Sequence, residues 1–293
     1  MYSIKNYWEI SKPKISFLLV LVAVTGYILA VNTLNFDFSF TTLSLIIVGM
    51  WTGSSGCSSL TAYTDRDMDA IMNRTKNRAI PTKKIFPPVK AVYFGFILIG
   101  ISLIISFWLS FFAFVLMVLG ILDNVLIYSL WLKRRSVWNI ILGGLSGGVP
   151  VLYSWVIVSG GSLSLVPWMI ALLVMTWIPS HTWYLALHSK EDYEAVNVPM
   201  LPVVKSEKTA IRITTLTVPM MVFTSLLLGY IGDFGLIYWV PTSLMGLYIL
   251  YESAKTIRKP DMDLHWKMFK ISSPYLSLVL IALIIDSYIY IMP

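Results

Sequence analysis

FTTLSLIIVGMWTGSSGCSSLTAYTDRDMDAIMNRTKNRAIP, residues 40–81, joins two kinds of chemistry in one stretch. Residues 40–62 carry no charged side chain and are about as long as a bilayer-crossing helix, which needs ~20 residues. The run then meets three aspartates within five positions, Asp65, Asp67 and Asp69, and the cations Arg74, Lys76 and Arg78 follow. An apolar helix that delivers dense charge to one membrane face sets the architecture of the whole chain.

The rest of the composition agrees. The 293 residues are 57% hydrophobic and 13% charged, against roughly 25% charged in soluble domains. Mean hydropathy is +0.76. Nine apolar segments can be drawn, near 15–31, 40–62, 89–108, 109–131, 138–158, 164–187, 210–231, 235–252 and 271–291. The third and fourth are parted only by ISFWLSFF, which reads as a tight outer turn. A β-barrel would need short alternating segments, and none is seen. The expectation is an all-α, polytopic membrane protein of nine transmembrane helices in a single bundle, with residues 1–293 as one domain. Cys57 is the sole cysteine; it has no intrachain partner, lacks metal-ligand spacing and reads as a small buried residue. The N-terminal stretch is neither Arg-rich nor Ser-rich, and the first apolar run exceeds a signal-peptide core. It reads as a retained helix in a plasma membrane.

Charge fixes the sides. The 22 lysines and arginines fall before segment 1 or at the ends of segments 2, 4, 6 and 8, while loops such as NTLNFDF and GDFG have none. The positive-inside rule then puts the N-terminus and these ends in the cytoplasm and the C-terminus outside. Insertion and anionic headgroups account for the +7 net charge without nucleic acid.

Three clusters on that rim could carry chemistry. Asp65 and Asp69 stand at i and i+4, one turn apart on one helix face, where their repulsion suits a divalent cation such as Mg²⁺. Asp67 points elsewhere. Arg74, Lys76 and Arg78 can hold phosphate oxygens. An equally ready reading of this segment is a solvated, salt-bridged juxtamembrane helix. In YSLWLKRRSVWN, Lys133 and Arg134 become phosphate ligands only if they lie near the aspartates; Arg135 reads as a topology signal. In WIPSHTWYLALHSKEDYEAVNVPMLP, His181 and His188 are seven apart, and His188 and Asp192 repeat the i,i+4 spacing. A buried, hydrogen-bonded histidine is the plain alternative for either.

These blocks resemble a known family. DRDMDAIMNRTKNR is similar to the first aspartate-rich motif of the intramembrane UbiA prenyltransferase superfamily. LKRRSVWN, KEDYEAVNVPMLPVV and the N-terminal YWEISKPKISFLLVLVAVTGYILA narrow the resemblance to its protoheme IX-farnesylating family, in four blocks from Tyr7 to about Val204. That resemblance implies transfer of farnesyl from farnesyl diphosphate to the 2-vinyl group of heme B, with water adding, to give heme O and diphosphate. By motif position it implies Mg²⁺ on Asp65 and Asp69, and Arg74, Arg78, Lys133 and Arg134 around the diphosphate. Trp177, Trp183 and Tyr184 would face the allylic cation, and His181 would contact heme as iron ligand or polar anchor. His188 and Asp192 occupy the place of the superfamily's second aspartate-rich motif, so a second Mg²⁺ is less secure than the first. A handoff to heme A synthase or an oxidase assembly factor is also implied.

Two positions depart from the family pattern. Thr61 stands where an asparagine is usual, four residues before the first aspartate, and IPSHTW replaces Pro-Pro-His-Phe-Trp around His181. Elsewhere, GGLSGGVP (143–150) has the small-residue spacing of close helix packing. Asp123 reads as an internal cap, an internal pair or a cavity-lining group. Asp286 reads as snorkelling at the outer interface. Arg258–Lys267, with Asp261, Asp263 and His265, reads as a surface loop. Two rivals stay open. One is a UbiA-type enzyme with an aromatic or lipid acceptor. The other is a heme transporter, which would place its charges at mid-depth.

Overall fold

The computed structural model describes residues 3–258 and 260–290. Lys259, one of the basic residues above, and Ile291, the end of the ninth segment, lie outside the described residues. The order is α1 (Ile4–Ile10), α2 (Pro13–Leu34), α3 (Phe40–Thr64), α4 (Arg66–Ile71), α5 (Val89–Leu109) and α6 (Phe111–Leu122). A π-helical stretch, Asp123–Leu132, continues α6. Then come α7 (Asn139–Leu142), α8 (Leu145–Ser159), α9 (Leu165–His188), α10 (Lys190–Ala195) and α11 (Leu201–Val204). The chain ends in α12 (Glu207–Ile231), α13 (Leu236–Arg258) and α14 (Met262–Tyr290). Among the described residues there is no strand.

Eight of these segments are long and apolar enough to cross a membrane. The expected ninth span is α13, 23 residues long, whose tyrosines, Trp239, Pro241 and Glu252 dilute its apolar content. The turn expected between the third and fourth spans is a single extended residue, Ser110. With no hydrophobic drive between helices in lipid, close backbone approach must hold such a bundle. Gly56 of α3 and Gly95 of α5 supply it: a Cβ on Gly56 would lie 2.8 Å from the Gly95 carbonyl oxygen. The GGLSGGVP glycines act in the same way, since a Cβ on Gly148 would lie 3.0 Å from that of Ala171 in α9.

The spans form a ring. Each packs on its neighbour in sequence, α14 closes against α2, and two cross-contacts, α2 with α8 and α9 with α14, brace the interior. The charged termini of α3, the π-helical stretch, α9 and α14 share one end of this ring, and the site lies there.

Three readings need correction. α14 begins at Met262 rather than near 271, so His265 is on a helix, not in a surface loop, and is only 3% exposed. Asp286 is fully buried instead of snorkelling; its carboxylate accepts the backbone N–H groups of Gly235 (2.7 Å) and Tyr238 (3.1 Å), capping α13. The open question of Asp123 closes the same way: it accepts the Ser146 N–H at 2.9 Å, in the first turn of α8.

Candidate active site at the charged end of the bundle

Helix α3 ends at Thr64, and Asp65 joins it to the short helix α4. The Asp69 N–H donates to the Asp65 carbonyl at 2.8 Å, so the two side chains stay one turn apart as their spacing requires. Both are 5% exposed. Two buried carboxylates need compensation. Lys133, directly after the π-helical stretch, reaches Asp65 Oδ2 at 2.5 Å. Arg78 Nη1 donates to both oxygens of Asp69 at 3.0 and 3.1 Å. Asp65 Oδ1 is buried with no partner among the described residues.

The π-helix places Lys133. Its wider turn carries hydrogen bonds from i to i−5: the Lys133 N–H donates to the Tyr128 carbonyl at 2.8 Å. Burial opposes the Lys133 charge, but the Tyr128 hydroxyl and the Asp65 carboxylate more than offset it and raise its pKa above the ordinary lysine value.

Arg134 is turned outward. It forms a fork on exposed Asp67 at 2.6 and 2.7 Å and donates to the Thr64 carbonyl at 2.8 Å. This fork holds the Asp67 carboxyl down to about 2. Asp67 thus points away from the buried pair as expected, and it takes Arg134 with it. Arg74 lies at the edge, donating from Nη2 to the Tyr193 hydroxyl at 3.3 Å.

Asp192 does not pair with His188. Its carboxylate accepts the backbone N–H groups of Asn73 (2.8 Å) and Arg74 (3.1 Å), stitching α10 to the segment after α4. His188 turns to α14, where its Nδ1 lies 3.1 Å from the Met262 carbonyl and its ring stacks on Trp266. Among the described residues no cluster of three or more His, Cys, Asp or Glu side chains is arranged to hold a metal. The i,i+4 repetition at 188 and 192 does not build a second acidic centre.

On α9, His181 is wedged between Trp177 (ring centroids 4.5 Å apart) and Phe269 of α14 (4.4 Å), with Nδ1 2.7 Å from Ser272 Oγ. Trp177 Nε1 donates to the Ser272 carbonyl at 2.9 Å. Tyr184 is fully buried, its hydroxyl in a knot with Thr215 (3.3 Å) and Thr256 (3.4 Å). Trp183 is buried with Nε1 unpartnered among the described residues.

Lys12 was not found from the sequence. It joins α1 to α2 and donates from Nζ to Thr61 Oγ1 at 3.2 Å. Its backbone is left-handed, φ 48°, a conformation that costs a non-glycine residue about 1–3 kcal/mol and gathers at functional sites. Burial pushes its ammonium down to about 8; Asp65 and Asp69 oppose that shift, and Lys133 and Arg78 add to it. A cleft of about 30 Å³ lined by Lys12, Asp69 and Arg78 opens beside it. KP at 12–13 resembled only a helix start, so no local signal pointed to Thr61, some fifty residues away.

Comparison with known proteins decides what this acidic centre belongs to. A model of the UbiA prenyltransferase family matches residues 18–274. The chain belongs to the UbiA prenyltransferase family. It resembles UbiA-family relatives named protoheme IX farnesyltransferase: one from Desulforudis audaxviator is 40% identical over 282 residues, covering 96% of this chain and 88% of that one. Another, from Thermoplasma volcanium, is 40% identical over 291 residues, covering 98% and 99%. Among solved structures, an apo UbiA homolog from Aeropyrum pernix aligns with a TM-score of 0.79 at 16% identity, covering 93% of this chain and 98% of that one. A UbiA homolog from Archaeoglobus fulgidus, solved bound to GPP and Mg²⁺, aligns at 0.68 and 12%, covering 95% and 99%. This UbiA-family chain is therefore an integral membrane prenyltransferase with the UbiA fold.

Proposed function

We propose that the chain works as a single membrane domain that transfers farnesyl from farnesyl diphosphate to the 2-vinyl group of protoheme IX, with water adding, to give heme O and diphosphate. The observation that carries this is the buried Asp65–Asp69 pair, framed by Lys12, Arg78 and Lys133 at the charged end of an apolar ring of helices. The basic residues gathered at that end favour a cytoplasmic mouth, in the cell membrane of a prokaryote.

The residues fit Mg²⁺. Asp65 Oδ1 is a buried carboxylate oxygen lacking a partner, and hard oxygen donors in small number suit an ion that keeps water and substrate phosphates as its other ligands. Asp65 and Asp69 would hold it. When bound, Mg²⁺ acts as a Lewis acid that favours departure of diphosphate.

The protein's own groups do the rest. Arg78 and Lys133 turn from the carboxylates to the phosphate oxygens, joined by Lys12, and neutralise the charge that grows on the leaving group. Arg74 and Arg134 guard the exposed edge of the same site. The apolar bundle keeps water from the allylic cation, and the ring faces of Trp177, Trp183 and Tyr184 on α9 supply negative potential toward it. His181, gripped by Ser272, Trp177 and Phe269, anchors the acceptor side, with His188 and Asp192 ordering the end of α9. The heme vinyl attacks as a nucleophile without a strong base. A handoff of heme O to heme A synthase or an oxidase assembly factor would follow.

Purified protein incubated with heme B, farnesyl diphosphate and Mg²⁺ should yield hydroxyethylfarnesyl heme by mass spectrometry. Prenylation of a phenolic or glycerol-phosphate acceptor, with none on heme, would reassign the acceptor.

A further inference from the structure

Three histidines occur in the chain, and all three lie where α9 meets α14. Two have a ring nitrogen engaged, His181 with Ser272 and His188 with the Met262 carbonyl. The third, His265, is different. It is 3% exposed, and neither Nδ1 nor Nε2 has a hydrogen-bond partner among the described residues. Buried polar groups are almost always satisfied, and an imidazole with both nitrogens orphaned is costly unless a ligand takes one of them.

Its surroundings narrow that ligand. The Tyr184 ring lies 6.1 Å away, centroid to centroid. Phe269, one helical turn along α14, begins a ladder of aromatic rings: Trp266 on one side at 5.0 Å, and His181 then Trp177 on the other. Flat, apolar walls beside a lone imidazole suit a planar aromatic macrocycle better than a hydrated ion. Lys267 and Lys270, on the same turns of α14, suit the carboxylates at the edge of such a macrocycle. Glu207 and Asp261 are the carboxylates whose charge bears on the ring, along with the His188 imidazole, and a carboxylate beside a metal-bound histidine commonly takes its second N–H.

We propose that His265 is an axial ligand to the iron of the porphyrin substrate. This rests on the heme reading above. It gives α14 a substrate-positioning role: iron held at its first turn fixes how the macrocycle, and so its vinyl group, is turned toward the acidic centre. Neutral imidazole is a common iron ligand, and no redox change is needed for it to bind.

The test is spectroscopic. Purified wild-type protein in detergent is titrated with ferric protoheme, reduced, and examined by absorption and resonance Raman. Wild type should show an iron–histidine signature. His265→Ala should lose it and bind heme at least tenfold more weakly, with added imidazole restoring the spectrum. His265→Met fills the same space; a thioether-type spectrum there supports the assignment even if the alanine variant unfolds. A wild-type spectrum without imidazole ligation overturns the proposal, and so does a signature that persists in both variants or disappears in His181→Ala instead. If wild type takes up no heme at all, the heme reading falls with it; heme uptake with an unchanged His265→Ala spectrum sinks this proposal alone.

Discussion

Lys133 Nζ lies 2.5 Å from one oxygen of Asp65, and the other oxygen of that carboxylate has no partner among the described residues. The carboxylate is half neutralised and half unsatisfied. A purely structural ion pair at this depth would engage both oxygens, as Arg78 does with Asp69.

Asp65→Asn and Asp69→Asn should each cut turnover by on the order of 10²–10³-fold, the scale of losing a principal electrostatic element of an active site. Product formation by mass spectrometry, alongside size-exclusion profiles that match wild type, checks this. Near-normal turnover in either variant would mean the metal is held elsewhere.

Lys12 should impose a pH limit. Its pKa is lowered to about 8, so it is cationic below that value and neutral above it. Only the cation attracts diphosphate. KM for the prenyl diphosphate should therefore rise as pH climbs through 8, by about tenfold or more if a charge-assisted hydrogen bond of ~1.5–3 kcal/mol is lost. Arginine keeps its charge throughout this range, so Lys12→Arg should flatten the rise. An identical pH profile in that variant would count against Lys12.

Thr61 stands where the family pattern has asparagine, yet its hydroxyl meets the same need, accepting from Lys12 and donating to the Ser58 carbonyl at 2.9 Å. Thr61→Asn should retain activity within about threefold, whereas Thr61→Val, which removes an acceptor, should raise KM for the diphosphate by about five- to tenfold, near 1 kcal/mol. Steady-state kinetics of the two variants decide it; equal behaviour would dissociate Thr61 from Lys12.

Asp192→Ala removes two hydrogen bonds that join α10 to Asn73 and Arg74. Limited proteolysis should cut residues 72–88 faster, and KM should rise more than kcat falls, because the acidic centre keeps its own side chains. A drop in kcat alone would indicate a direct role for Asp192.

Asp286→Ala, far from the chemistry, should lower the melting temperature of the detergent-solubilised protein. It leaves two N–H groups of α13 without their cap, a loss of about 0.5–2 kcal/mol. Unchanged melting would mean that water takes over the cap.

Much of this was legible in sequence because the membrane makes long apolar runs obligatory and puts charge at their ends. The i,i+4 aspartates needed only helix geometry to be placed together. What escaped depended on partners distant in the chain. Asp286 looks like an interfacial acid until Gly235 and Tyr238 are folded over it. His265 follows a proline and sits among charges, so it read as loop; nothing near it in sequence announces Tyr184 or Phe269's neighbours on α9. Lys133 and Arg134 are adjacent and alike in charge, yet one turns inward and the other outward, a difference set by the backbone that delivers them.

That backbone is the π-helical stretch Asp123–Leu132, and it behaves like a gear with one tooth too many. Removing a single residue within it would restore ordinary α winding while leaving a span long enough to cross the membrane. Each residue of an α-helix turns the chain by roughly 100°. The deletion would swing Lys133 off Asp65 and bring a neighbouring side chain round in its place. The surplus residue is thus a timing device, and the position of one ammonium group is what it keeps.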